Sequence, residues 1–142
     1  MIILDTNVIS ELMKPEPDAG VFAWAARHPA SSLFTTSVTE AEIRYGIALL
    51  PSGRRKTELA ADADRMFRDD FKDRVVAFDS AATPYYGEFL ANRRRSGRPG
   101  KSLDAQIAAI ALVLGAAAIA TRNTADFDGC GVALVDPWAG PG

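Results

Sequence analysis

Residues 2–12 read IILDTNVISEL: three apolar residues, then a carboxylate, a hydroxyl and an amide, then apolar residues at helical spacing. Ile2–Leu4 reads as a short buried strand and Val8–Met13 as a first helix, stopped by the proline-containing Lys14–Pro17. Asp5, Thr6 and Asn7 therefore fall at a strand-to-helix transition. Each side chain can accept a hydrogen bond from the free N–H groups of a helix start, so Asp5 taken alone is explained as a cap. A functional role for it depends on where the other acids fall.

The same alternation continues along the chain. Ala19–Arg27 is expected to be helical, with Val21, Phe22, Trp24 and Ala25 on its apolar side and Pro29 closing it, and Leu33–Thr35 is a second strand. Ser37 to Glu40 (SVTE) has the spacing of a capping box, and the helix that follows carries Ile43, Gly46, Ile47 and Leu50 on one stripe. Arg54–Phe67 is a charged, solvent-facing helix, and Val75–Phe78 a third strand ending in Asp79, read as an N-cap. A further helix runs from about Ala81 to near Gly97, with Ala82, Tyr85, Tyr86, Phe89 and Leu90 three or four residues apart; both tyrosines are read as core. Leu103–Leu114 is apolar nearly all round, as a buried helix should be, and Gly115 stops it. Ala118–Thr121 and Val132–Val135 are the last strands. Short apolar strands alternating with helices imply an α/β fold, a mostly parallel central sheet with helices on both faces, in a single domain over residues 1–142. Ligands of such sheets bind beyond the carboxyl ends of the strands. Asp5 follows the first strand, and Thr121, Asn123 and Asp126 follow the fourth.

Composition narrows the chemistry. A formal net charge of −2 excludes a bulk polycation that holds nucleic acid by charge alone. One histidine and one cysteine leave almost no partners for a structural zinc site or a Ser-His-Asp triad, and exclude an internal disulfide. The longest apolar stretch, Ile107 to Ala120, contains Gly115 and is too short for a bilayer, which needs ~20 residues. With no basic n-region before the first strand, no signal peptide is expected, and the reading is cytoplasmic with no membrane partner. The available chemistry is that of carboxylates, hydroxyls, amides and basic groups.

Four acids compete for attention: Asp5, Glu42, Asp104 and Asp126. Each has a local structural explanation. Asp104 follows Ser102 in the first turn of its helix, where negative charge favours the macrodipole; Asp126 in TRNTADF can close an Asx-turn; Glu42 can be a surface residue or the end of a second capping box begun by Thr39. Together they point elsewhere, because three of the four fall at strand-to-helix transitions on one expected sheet edge. Converging carboxylates repel one another, and a divalent cation relieves the repulsion. Oxygen ligands suit Mg2+ or Mn2+, which also bind phosphates and acidify bound water. That combination suggests phosphodiester hydrolysis without histidine.

Four segments, LDTNVISEL (4–12), TEAEIRYG (39–46), SLDAQIAAIA (102–111) and TRNTADF (121–127), resemble in order and spacing the signature segments of PIN-domain ribonucleases, most of all the VapC and FitB toxins of bacterial toxin–antitoxin pairs. The resemblance runs from Ile2 to about Trp138. It implies that Asp5 and Asp104 are metal ligands, that Asp126 and Glu42 complete the acidic pocket, with Asp126 holding metal as well, and that Thr121 and Asn123 are supporting polar residues. Helical periodicity alone does not choose between Glu40 and Glu42; the family pattern matches Glu42 to Gly46, leaving Glu40 as the cap partner of Ser37. It further implies a Mg2+- or Mn2+-dependent endoribonuclease, a cognate antitoxin, a homodimer, and a larger toxin–antitoxin assembly on DNA held through the antitoxin. The segment NRRRSGRPGKSLD (92–104) places Arg93, Arg94, Arg95, Arg98 and Lys101 just before Asp104. Those cations read either as a solvated helix end or as an electropositive rim for RNA phosphates. Two rival functions stand beside the nuclease: a phosphatase or phosphoryl-accepting domain with Asp5 as nucleophile, and a catalytically silent RNA- or protein-binding module. The D-x-D start of such phosphatases would need an acid at Asn7.

Overall fold

The computed structural model describes residues 1–140; Pro141 and Gly142, within the expected 1–142 domain, lie outside the described residues. Three strands form the centre: β1 (Ile2–Leu4), β2 (Leu33–Thr36) and β4 (Ala118–Ala120), flanked by two-residue edges β3 (Val75–Val76) and β5 (Leu134–Val135). The order is β3-β2-β1-β4-β5 and every pairing is parallel, with Ile3 opposite Phe34 on one side and Ile119 on the other. The chain builds β1, β2 and β3 in one direction and then crosses to β4 on the far side of β1. The order thus reverses between β1 and β4, which makes their carboxyl ends the topological switch point where ligands of open parallel sheets bind.

Alternation along β1 sends its side chains to opposite faces. Ile3 joins Ile119, Phe89, Phe127 and the apolar face of α6 (Ser102–Leu114), backed by α5 (Thr83–Arg95). Leu4 and Ala120 face the other layer: Val8 and Ile9 of α1 (Thr6–Leu12), Val21 and Trp24 of α2 (Ala19–Ala26), and Ala63 of α4 (Arg54–Arg65). The two strands nearest the switch point are therefore clamped from both sides, which fixes the backbone that carries Asp5 and Thr121.

Several local expectations are corrected. The first helix starts at Thr6 rather than Val8, because Asp5 accepts from Thr6 N and ends the strand. Helix α3 (Ser37–Ala48) is capped by Thr36, whose Oγ1 accepts from Thr39 N at 3.1 Å, so Ser37 is already helical and no capping box forms. The reason is tertiary: Thr36 pairs with Val76, so β2 runs one residue further. Glu40 instead binds Arg44 (2.9 Å), which also reaches Asp64. Val75–Phe78 and Val132–Val135 shrink to two-residue strands, and a short 3-10 turn, Ser80–Ala82, precedes α5. Tyr85 is exposed rather than core; Tyr86 is half-buried, edge-on to Phe78, with its hydroxyl 2.9 Å from Ser102 Oγ. Leu103 and Val113 of α6 are also exposed. Gly115 ends α6 at φ 64°, a left-handed position that glycine fills without steric penalty.

Candidate active site

Asp5 leaves the sheet at the switch point. Its backbone N still donates to Ala120 O (2.9 Å), while its carboxylate, only 5% exposed, accepts from Thr6 N and from Thr121 Oγ1, both at 2.8 Å. Asn7 Nδ2 lies 3.4 Å from both Asp5 Oδ2 and Thr121 Oγ1, and Asn7 Oδ1 accepts from Arg122 N. Asp5 is thus a helix cap and a member of a polar cluster at once. Burial pushes its carboxyl above the usual range; the hydrogen bonds from Thr121 and Thr6 oppose this, and the charges of Glu42 and Asp126 add to it.

The other three acids reach the same cleft from three different elements. Glu42 stands in the second turn of α3, where Thr6 Oγ1 donates to its Oε1 at 2.7 Å, and Glu40 faces away on Arg44. Asp104 comes from the first turn of α6, where desolvation and then the charges of Asp5 and Asp126 push its carboxyl up to about 6 against the pull of Lys101. Asp126 sits in a 3-10 turn, Thr124–Phe127, with Lys101 Nζ 3.3 Å from its Oδ2. The fully buried Phe127 anchors that turn in the core. All four carboxylates line one cleft of about 580 Å³, together with Thr6, Asn7, Ser10, Lys101, Arg122, Asn123 and Trp138.

Among the described residues, no group of three or more His, Cys, Asp or Glu side chains is placed to hold a metal ion together. Magnesium does not require one: it keeps several waters and is usually held by one or two carboxylates. The donor chemistry fits such an ion, since four carboxylates meet in a cleft where burial first, and then the charges of neighbouring acids, raise the carboxyl group of Asp104.

Thr121 is fully buried; its Oγ1 donates to Asp5 and accepts from Asn123 N at 3.0 Å, so Asn123 enters through its backbone and its side chain stays at the exposed mouth. The basic segment divides. Lys101 lines the cleft, Arg94 and Arg95 are exposed at the end of α5, and Arg98 pairs with Asp128 at 2.7 Å. Arg93 leaves the rim altogether: it is 9% exposed and points inward. Asp79 caps the turn before α5 by accepting from Ala81 N. Glu11 is the acid that sequence reading passed over. It is 8% exposed, lines the cleft and accepts from Asp18 N and Lys14 Nζ, both at 3.1 Å, which holds its carboxyl below the usual range. Nothing in its local sequence separates it from a surface helix acid. Arg122, stacked 5.0 Å from the Trp138 ring, was likewise passed over although it lies within TRNTADF.

A family model for the PIN domain matches residues 2–129. The chain is 41% identical to the plasmid stability protein StbB of Pseudomonas syringae pv. tomato, over 97% of this chain and 99% of that protein. It is 38% identical to the VapC ribonuclease Y4jK of Sinorhizobium fredii, over 97% and 98%. It superposes with a TM-score of 0.90 on a chain of the crystal structure of FitAcB from Neisseria gonorrhoeae, at 33% identity over 97% of this chain and 99% of that one, and with the same TM-score and identity on one of FitAB bound to an IR36 DNA fragment, over 97% and 96%.

Proposed function

The chain belongs to the PIN-domain family alongside the VapC and FitB toxins, and from that premise we propose that it is a Mg2+-dependent endoribonuclease, the toxin of a type II toxin–antitoxin pair. The observation that carries this reading is the meeting of Asp5, Glu42, Asp104 and Asp126 in one cleft at the switch point of the sheet. Asp5 and Asp104 would hold Mg2+ or Mn2+, with Asp126 serving a second ion or the water beside the first. When bound, such an ion acidifies a water and stabilises the charge that builds on a phosphate. The Thr121 hydrogen bond opposes the burial that raises the Asp5 carboxyl and fixes its direction, and Thr6 Oγ1 holds the carboxylate of Glu42, the acid left to orient the attacking water and take its proton. Arg94, Arg95, Arg98 and Lys101 stay at the surface, Arg98 beside Asp128 and Lys101 beside Asp126, and would steer the RNA strand.

The partner reading has its own support. An apolar groove of about 530 Å³, lined by Met13, Ile43, Ile47, Leu50 and Leu59, runs into the acidic cleft through Thr6, Ser10, Lys14 and Glu42. The C-terminal segment of a cognate antitoxin fits there, placing a basic side chain against the carboxylates, where a guanidinium can pair bidentately. The exposed Tyr45 and Leu103, beside Glu42, offer apolar surface for a homodimer contact, and the FitAB–DNA complex supports a larger assembly on DNA through the antitoxin. The chain acts in the cytoplasm as one domain over residues 1–142; among the described residues no helix is long and apolar enough to cross a membrane.

A covalently closed single-stranded RNA circle separates this function from its rivals. In Mg2+ the purified chain is expected to linearise the circle while leaving p-nitrophenyl phosphate untouched. Monoester hydrolysis with an intact circle would favour the phosphatase, against which Asn7 already counts: it donates toward Asp5 where that chemistry needs a second acid. Neither product, with RNA still bound, would leave a silent binding module.

A further inference from the structure

Arg93 is the one cation between Arg93 and Lys101 that the structure turns inward. Its guanidinium lies 5.8 Å from the Phe89 ring centre and donates to three backbone carbonyls: Nε to Arg98 O at 3.0 Å, and Nη1 to Ala125 O at 3.0 Å and Asp128 O at 3.2 Å. Among the described residues no carboxylate forms an ion pair with it. The three carbonyls belong to the two segments that deliver acids to the cleft. Ala125 and Asp128 stand on either side of Asp126, within and just after its turn, and Arg98 lies in the loop that leads from α5 into α6 and Asp104. That loop lies directly on the arginine stem: a Cβ at Gly100 would stand 3.2 Å from Arg93 Cδ and 3.1 Å from Leu90 Cδ2.

Stability alone does not account for an arginine here. The guanidinium is held by carbonyls and the Phe89 ring with no carboxylate partner among the described residues, and a leucine or methionine of similar reach would fill the same place with apolar surface. What the guanidinium supplies is a rigid planar fork that binds several acceptors in fixed directions, which neither an aliphatic chain nor a lysine reproduces. We propose that Arg93 is a positioning residue: by clamping the 125–128 turn to the 98–100 loop it sets where Asp126 and Asp104 stand relative to each other. The inference rests on the nuclease reading above and deepens it.

Arg93→Lys and Arg93→Met, made in the full chain, test it. The lysine variant keeps the cation and the methionine variant keeps the apolar stem, so the pair remains informative if one folds poorly. Both are expected to lower kcat for RNA by about 10- to 100-fold with KM unchanged, the usual size of effect for residues that orient an ion's ligands. Hydrogen exchange without metal should quicken in residues 98–104 and 124–130 and stay unchanged in β1 and α1. Folded variants with wild-type kcat overturn the proposal, even if their melting temperature falls, because the role is then structural only. A raised KM at constant kcat also overturns it and returns Arg93 to RNA contact. If the wild-type chain does not cleave RNA, the nuclease reading fails, and the exchange pattern alone decides whether Arg93 joins the two segments.

Discussion

Asp104→Asn is expected to remove RNA cleavage while making the metal-free protein more stable. The loss should be on the order of 10³-fold or more, equivalent to about 4 kcal/mol of transition-state stabilisation, because the site loses a charged oxygen where a cation must be held. The stability gain follows from the shifted carboxyl. Burial and the neighbouring acids raise the Asp104 pKa to about 6 in the folded chain, above its value in the unfolded chain, so the folded form binds the proton more tightly. Its contribution to stability is complete below about pH 4 and disappears as pH rises through 6. At pH 7 the charged group therefore opposes folding. The rise to about 6 corresponds to about 3 kcal/mol, reduced to about 1–2 kcal/mol by solvent at the open side of the cleft. Asn removes that opposition, so the variant should melt higher than wild type at pH 7 and close to it at pH 4. Asp5→Asn should lose activity to the same degree with little stability gain, since two donors, Thr6 N and Thr121 Oγ1, already hold the Asp5 carboxylate at 2.8 Å. A variant that unfolds would make its residue structural; one that cleaves normally would remove it from the site.

Thr121→Val should have the next largest effect. The change nearly preserves shape but removes the hydroxyl that donates to Asp5 and accepts from Asn123 N. Hydrogen bonds to a charged group are worth about 1.5–3 kcal/mol, so a net destabilisation of about 1–2 kcal/mol is expected after the apolar gain of a buried valine. Activity should fall about 10- to 100-fold, as for other residues that support a metal ligand. The pH profile carries the diagnostic signal. The Thr121 hydrogen bond lowers the Asp5 pKa against desolvation, so its loss lets the carboxyl stay protonated to higher pH. The acid limb of the cleavage profile should move upward, and Thr121→Ser should restore it. An unmoved acid limb in a folded valine variant would mean that Thr121 serves the strand end rather than the acid.

The parallel sheet and its two helical layers were legible because short apolar runs, such as Ile2–Leu4, alternate with helical periodicity, as in the apolar stretches of α1 and α6; the strand order was not, because it rests on pairings between distant segments. Element ends were less legible. The cap of α3 moved from Ser37 to Thr36 because β2 extends by pairing with Val76, a residue forty positions away that no local pattern contains. In the site, Asp5 and Asp104 could be picked out by their positions at helix starts near one sheet edge, whereas choosing Glu42 over Glu40 needed the family pattern. The basic run was the weakest reading. Five cations looked equivalent as charges, yet Arg93 stands four residues after the buried Phe89 and so continues its helical face inward. Weighing periodicity before charge would have found it. Glu11 had no comparable signal, because its burial arises from Asp18 folding back over it.

The measurement closest to the central claim is RNA cleavage by the wild-type chain before and after removal of divalent ions, with Asp5→Asn purified in parallel to expose any contaminating nuclease. Cleavage should stop in EDTA and return with Mg2+ or Mn2+. It should return poorly with Ca2+, whose larger and more flexible shell orients water less well, and the Asp5→Asn preparation should be inactive throughout. Undiminished cleavage by the wild-type chain in EDTA, with none from Asp5→Asn, would contradict a metal-dependent acidic site.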